Sequence, residues 1–226
     1  IPTRPTSFPL PVPQRMELDA DSTTTVVAWG HNSNGQSTVP AGLVDVVQVS
    51  AGSNHTVALK RDGTVEAWGN GNANGENSVP AGLVDVVQVV AGEGYTVALK
   101  RDGTVEAWGY DSYGQATVPA GLTDVVQVAA AAFHTVALKR DGTVEAWGLS
   151  ATMPAGLVDV VQVAAGYYHT VALKRDGTVV AWGYYNSNGE TTVPAGLVDV
   201  VQVAARSDHT VALKRDGTVV AWGNNN

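Results

Sequence analysis

Histidine recurs at one position of a repeated segment, and its imidazole is a common metal ligand and proton carrier. The four histidines are His55, His134, His169 and His209, each directly before a TVAL segment, and Tyr95 takes the same place in one copy. A ring of imidazoles around an axis could hold a metal ion. Because Tyr95 interrupts such a ring, the sequence instead predicts that each histidine bonds neighbouring backbone and that the chain holds no metal.

Tyrosine is concentrated where the repeats differ from one another. All seven tyrosines and Phe133 lie either in the short turn before TVAL or in the loop after each AWG. Tyrosine offers a large rigid contact area and a polar tip at low entropic cost, which favours binding loops. Duplicated loops also drift, but drift does not select tyrosine. We therefore predict that the following residues contact a protein partner: Tyr95, Tyr110, Tyr113, Phe133, Tyr167, Tyr168, Tyr184 and Tyr185.

Motifs of catalysis do not appear in the sequence. It contains no serine in a nucleophile elbow, no HExxH segment and no phosphate-binding loop. The carboxylates that differ between copies are scattered singly, so no acid–base pair stands out. The sequence predicts a protein that is not an enzyme and has no cofactor.

The elements that carry these side chains repeat with a period of roughly forty residues. AWG occurs six times, and its tryptophans are spaced by 39, 40, 39, 35 and 40 residues. DVVQV is β-branched and apolar on both faces, as expected of a buried strand. HTVALK and TVEAWG alternate in polarity and are joined by Asp-Gly, a strong hairpin signal.

Tandem units of this length predict an all-β propeller with four-stranded blades. We expect five full repeats and a surplus strand, TVVAWG at residues 25–30, in front of them. The short segment before VPAGL, QSTV in the first copy, is predicted as the fourth strand. The surplus strand leaves five or six blades open, and oligomerisation that completes the ring is a further alternative.

Residues 1–24 differ from the repeats and are rich in proline, which predicts an extended leader, with the propeller domain at residues 25–226. The chain has 226 residues, no cysteine and a net charge of −8, and half of that charge lies in the variable loops. An acidic chain argues against nucleic acid. No apolar run is long enough to span a membrane.

The pattern GxxHTVALKRDGTVxAWGxNxxGQ resembles the repeat of the regulator of chromosome condensation family, over residues 25–226. The resemblance implies a propeller fold. The short unit is similar to that of the secreted bacterial β-lactamase inhibitor proteins built on this propeller. This implies a secreted, extracellular bacterial protein whose loops bind a serine β-lactamase through aromatic and polar residues.

The function expected from the residues and the resemblance is a rigid scaffold for protein–protein binding, with inhibition of a β-lactamase as its specific form. One alternative is a carbohydrate-binding propeller, which requires equivalent pockets in every blade. Another is a recently amplified or engineered repeat protein without a specific ligand, which the near-identity of the copies favours.

Overall fold

A computed structural model describes residues 24–69, 74–149 and 152–224, and the predicted leader lies outside this part apart from Thr24. The described chain is all-β, with fifteen strands in five three-stranded antiparallel sheets. The strands are β1 (Val46–Ala51), β2 (Thr56–Lys60), β3 (Val65–Trp68), β4 (Val86–Ala91), β5 (Tyr95–Lys100), β6 (Val105–Gly109), β7 (Val125–Ala130), β8 (His134–Lys139), β9 (Val144–Gly148), β10 (Val160–Ala165), β11 (His169–Lys174), β12 (Val179–Gly183), β13 (Val200–Arg206), β14 (His209–Lys214) and β15 (Val219–Gly223).

Each sheet takes three consecutive strands, so that sheet 1 is β1-β2-β3 and sheet 5 is β13-β14-β15. The predicted Asp-Gly hairpin joins the second and third strands. In sheet 1, Gly63 has a φ of 84°, and its amide donates to the carbonyl of Lys60. The Thr64 amide and hydroxyl donate to Asp62 Oδ1, and these bonds lower the pKa of Asp62.

The hydrophobic core lies between consecutive sheets. Between sheets 1 and 2, Val57 and Leu59 pack against Val86 and Val89. Equivalent clusters fill the next three interfaces. Because each sheet buries its faces against its neighbours in sequence, the sheets form a radial stack, as the sequence predicted for a propeller.

A glutamine on the first strand of sheets 1 to 4 joins each of these sheets to the next through two hydrogen bonds. A bulge in β1 falls between Val46 and Gln48. The Gln48 side chain donates through Nε2 to the carbonyl of Val89 at 3.0 Å and accepts from the Val89 amide at 3.0 Å. Gln88, Gln127 and Gln162 make the same pair of bonds with the next sheet. The corresponding Gln202 on sheet 5 is exposed.

The predicted fourth strand is not a strand in any described copy, so each sheet has three strands. In sheet 1 the segment that begins at Gln36 lies against the sheet through side-chain bonds. Thr56 Oγ1 and Trp68 Nε1 both donate to the Gln36 carbonyl, at 2.9 and 3.1 Å. The Asn34-Gly35 turn before this segment and Pro40 after it limit a regular backbone ladder.

The surplus segment at residues 25–30 was also predicted as a strand, and this was wrong. Each of the other AWG segments pairs with the HTVALK-type strand before it, whereas no described strand pairs with residues 25–30. Trp29 is accordingly 85% exposed, while Trp68 is 8% exposed. The described chain therefore has five sheets, and completion of a ring by oligomerisation stays a prediction. No helix in the described ranges is long and apolar enough to cross a membrane.

Candidate functional site

In sheets 2, 3 and 4 the turn before TVAL and the start of the loop after AWG lie side by side at one end of the sheet. The residue after AWG donates its backbone amide to the turn before TVAL. Tyr110 donates to the Gly94 carbonyl at 2.7 Å, and Tyr184 donates to the Tyr168 carbonyl at 3.0 Å. Since the same bond recurs from Leu149 to Phe133, sequence variation in both loops is presented on one common face.

Seven of the eight predicted contact residues form a continuous row of touching rings, which we call the aromatic surface. Ring centroids are 6.3 Å apart for Tyr110–Tyr113 and 5.1 Å for Tyr113–Phe133. Phe133 lies 5.2 and 5.4 Å from the rings of Tyr167 and Tyr168. The row continues from Tyr168 to Tyr185 at 5.0 Å and then to Tyr184 at 4.6 Å. The aromatic surface is therefore Tyr110, Tyr113, Phe133, Tyr167, Tyr168, Tyr184 and Tyr185.

Tyr95 does not belong to the aromatic surface, and its prediction as a contact residue was wrong for this structure. Its side chain is fully buried, because it occupies the position that histidine takes in the other copies. Its hydroxyl donates to the carbonyl of His134 at 2.6 Å and lies 3.0 Å from Thr135 Oγ1. Burial raises the pKa of Tyr95, so its hydroxyl stays protonated.

The repeated histidines link neighbouring sheets. Nε2 of His55 lies 3.0 Å from Thr96 Oγ1, and Nε2 of His169 lies 2.9 Å from Thr210 Oγ1. The threonine hydroxyl of the next sheet is a partner that the sequence did not predict, while the predicted backbone contact is present for His55, which forms a hydrogen bond with the backbone of Tyr95. His209 on sheet 5 is exposed. Among the described residues, no three or more acidic or histidine side chains are grouped so that they could hold a metal ion.

A cavity of about 300 Å³ lies where the five first strands end, and we call it the axial cavity. Each sheet contributes the first residue of its variable turn to the lining. These residues are Ser53, Glu93, Ala132, Tyr167 and Ser207. Tyr167 belongs to both the axial cavity and the aromatic surface, so the two are contiguous.

Two acidic side chains act on the tyrosines at this end. A hydrogen bond with the Glu93 carboxylate, followed by partial burial and the Glu93 charge, raises the pKa of Tyr167 to about 12. Desolvation and then neighbouring tyrosines raise the pKa of Tyr168, with smaller contributions from Asp208 and Glu93. The site is therefore aromatic and bordered by negative charge, with Arg206 as a cation in the cavity lining.

Sequence reasoning missed the axial cavity and the position of Glu93 in it. A signal was present, because the other copies carry Ser53, Ala132, Tyr167 and Ser207 where the second copy carries Glu93. That comparison marks Glu93 as a departure that the framework does not require. Only the structure places the five positions around one axis.

Comparison with solved structures shows likeness to several propellers. Prp20p from Saccharomyces cerevisiae is 22% identical, with a TM-score of 0.66, over 80% of this chain and 57% of that chain. Human WBSCR16 is 24% identical, with a TM-score of 0.66, over 80% and 62% of the two chains. The CRINKLY WD40 ectodomain of the Arabidopsis thaliana receptor kinase ACR4 is 23% identical, with a TM-score of 0.68, over 86% and 70%. These identities show the fold alone.

The chain thus spans less than two thirds of the length of Prp20p and of WBSCR16. A search of curated proteins found no match. The family described as the regulator of chromosome condensation (RCC1) repeat matches residues 46–76, 86–115, 160–190 and 200–226. Because these segments cover just over half of the sequence and coincide with sheets 1, 2, 4 and 5, the chain belongs to the regulator of chromosome condensation (RCC1) repeat family.

Proposed function

We propose that this chain is a non-enzymatic scaffold that binds another protein through the aromatic surface. The observation that carries the proposal is the continuity of seven rings contributed by four loops. Contiguous exposed apolar area on a soluble domain is typical of an interaction site. Tyrosine and its aromatic relatives also supply a large share of binding energy at protein interfaces.

Rigidity supports the same proposal. The loops are anchored by backbone bonds such as Tyr184 to Tyr168, and the sheets beneath them are clamped to one another. A preformed surface loses little conformational entropy on binding. Protein partners are also known on this fold, since Prp20p binds Gsp1p and histones and has been solved with Kap60 bound.

The specific partner that we propose is a serine β-lactamase outside the bacterial cell, inhibited by occlusion of its active site. This proposal rests on the similarity of the short repeat to that of the secreted inhibitor proteins. A carbohydrate-binding propeller would need one equivalent aromatic pocket per sheet. The rings here touch one another across the loops that follow sheets 2 and 4 and the turns of sheets 3 and 4, which favours one extended protein contact.

The test is a titration of the protein into a class A β-lactamase during hydrolysis of a chromogenic cephalosporin. We expect stoichiometric loss of hydrolysis. The Tyr167→Ser/Tyr168→Asn variant copies the first turn, Ser53-Asn54, and should weaken inhibition at least tenfold, since hot-spot truncations cost about 2 kcal/mol or more. The repeat itself shows that these residues are compatible with the fold.

The matched control is Trp29→Ser, which removes an aromatic side chain that is 85% exposed and lies outside the aromatic surface. It should inhibit as the parent protein does. Equal loss of inhibition in both variants would overturn the site assignment. No inhibition by the parent protein at micromolar concentration would exclude β-lactamase as the partner.

A further inference from the structure

The axial cavity contains one carboxylate that the repeat does not explain. At the position of Glu93, three of the other four sheets place serine or alanine, which fold equally well there. The backbone of the turn is already fixed by the bond from the Glu93 amide to the Ala131 carbonyl at 3.0 Å. The acidic side chain is therefore not needed to hold the turn.

Part of the Glu93 carboxylate is unused by the protein. Its Oε2 atom is buried and has no hydrogen-bond partner. A buried acceptor without a donor costs free energy, about 1–3 kcal/mol or more for a charged group. Glu93 as a whole is half-buried and lines the cavity, so a cationic donor placed there can compensate this carboxylate.

The cavity has room for one long side chain beside this carboxylate. Its volume of about 300 Å³ lies at the lower end of ligand pockets. Small residues such as Ser50, Ala130 and Ala131 form much of the wall, and Tyr167 continues from the cavity into the aromatic surface. A partner that covers the aromatic surface can therefore reach the cavity without crossing other residues of the mouth.

The charges at the mouth of the cavity favour a bound cation over a bound anion, because two of the three charged side chains there are negative. Glu93 and Asp208 are negative, and both act on Tyr167 and Tyr168. Arg206 is positive and also lines the cavity. The five variable turns contain no lysine, and the chain as a whole carries a charge of −8. Long-range attraction therefore steers basic surfaces toward this molecule.

We propose that the axial cavity receives a lysine or arginine side chain from the protein that covers the aromatic surface. Its cationic head lies against the Glu93 carboxylate, and its methylene stem lies along the Tyr167 ring. A cation beside an aromatic face gains further attraction from the ring. This inference rests on the proposed protein-binding function and specifies its partner as a basic segment.

The experiment uses Nα-acetyl-lysine methylamide as the probe and its neutral analogue, Nα-acetyl-norleucine methylamide, in titrations followed by ¹⁵N nuclear magnetic resonance. We expect saturable shifts of the Ser53, Glu93 and Ala132 amides with the lysine compound, with a dissociation constant on the order of 1 mM. Equal shifts with the norleucine compound would overturn the inference, because burial of the stem alone would then account for binding.

The variants test the carboxylate directly. Glu93→Ser copies the residue of sheets 1 and 5 and should weaken lysine binding at least tenfold. Glu145→Gln removes one negative charge from β9, outside the lining of the cavity, and should leave the affinity within twofold. Arg206→Ala, which resembles sheet 3 at Ala131, should strengthen binding severalfold. Unchanged affinity in Glu93→Ser would disprove the inference.

Failure of this inference is distinguishable from failure of the proposed function. One outcome is that the Tyr167→Ser/Tyr168→Asn variant no longer binds the protein partner, whereas Glu93→Ser binds it as the parent does and the affinity does not depend on salt. That outcome supports the scaffold function and overturns the cation site. If the partner instead loses affinity with Glu93→Ser and with added salt, both stand. Saturable lysine binding that Tyr167→Ser/Tyr168→Asn does not alter would overturn the placement of the stem along Tyr167.

Discussion

The first and fourth turns of this protein have the same backbone and opposite surfaces. Ser53-Asn54-His55 and Tyr167-Tyr168-His169 both close with an amide-to-carbonyl bond from glycine to histidine, at 2.9 Å from Gly52 and 2.8 Å from Gly166. Both histidines are fully buried and reach a threonine of the next sheet. Only the two residues before histidine differ, and they decide whether the surface is polar or aromatic.

The comparison shows how one repeat separates stability from recognition. The side chain at the last position of the turn forms a hydrogen bond with the next sheet. In the copies this residue is histidine, or at position 95 a tyrosine whose hydroxyl also bonds the next sheet. The first position lines the axial cavity, and the five copies place serine, glutamate, alanine or tyrosine there. Substitutions at the two kinds of position should therefore have unlike effects.

The largest effect is expected when the buried histidine is removed. His169→Ala loses a fully buried ring and the bond to Thr210, and we expect the free energy of unfolding to fall by about 3 kcal/mol. Chemical denaturation with urea measures the change. His209→Ala is the matched control, since His209 is exposed in sheet 5, and it should change stability by less than about 0.5 kcal/mol. Equal losses would show that the contact between sheets is not what the histidine contributes.

Lower pH should reduce the free energy of unfolding through the buried histidine position of the turn. Burial, and then the neighbouring charge of His169, lowers the pKa of His134 from 6.5 to about 4. The unfolded chain therefore binds more protons between these values, and the free energy of unfolding should fall as the pH drops from about 6.5 to about 4, by on the order of 3 kcal/mol. Urea denaturation at a series of pH values measures this slope.

A tyrosine in place of His134 should reduce the slope, because tyrosine does not titrate in that range. The variant Ala131→Gly/His134→Tyr copies the second turn, where Gly92 lies beneath Tyr95. His55 and His169 would still contribute, since burial lowers the pKa of each while Glu76 and Glu190 raise it. An unchanged slope in this variant would mean that His134 is not the group responsible.

A smaller effect is expected from the glycine beneath the histidine ring. A Cβ added at Gly166 would overlap the His169 ring, so Gly166→Ala should cost about 1–3 kcal/mol. Sheet 3 already carries Ala131 at this position, and its amide lies 3.3 Å from the His134 carbonyl, compared with 2.8 Å in sheet 4. The reverse change, Ala131→Gly, should therefore be nearly neutral or slightly stabilising. Thermal unfolding of both variants tests the pair, and a stabilising Gly166→Ala would contradict it.

The hairpins and the repeat could be predicted from particular residues. Asp62-Gly63 between two alternating segments gave the correct hairpin, and the β-branched DVVQV segments became the first strands. The fourth strand failed because Gln36 pairs with side chains of sheet 1, a contact between segments that local propensity does not contain. The prediction that Tyr95 contacts a partner failed for a related reason. Tyr95 occupies the position that histidine takes in the other copies, and that position is buried between sheets.

The sequence alone determined three strands of each repeat, the period and the positions that vary, because those follow from local polarity, turn chemistry and comparison of the copies within one chain. Only the tertiary structure decided that seven of those aromatic residues touch while Tyr95 is buried, and that Glu93 lies beside Tyr167 at one axis. The physical reason is that these contacts join different sheets. Their geometry depends on the angle and spacing at which the sheets pack, which no single repeat encodes.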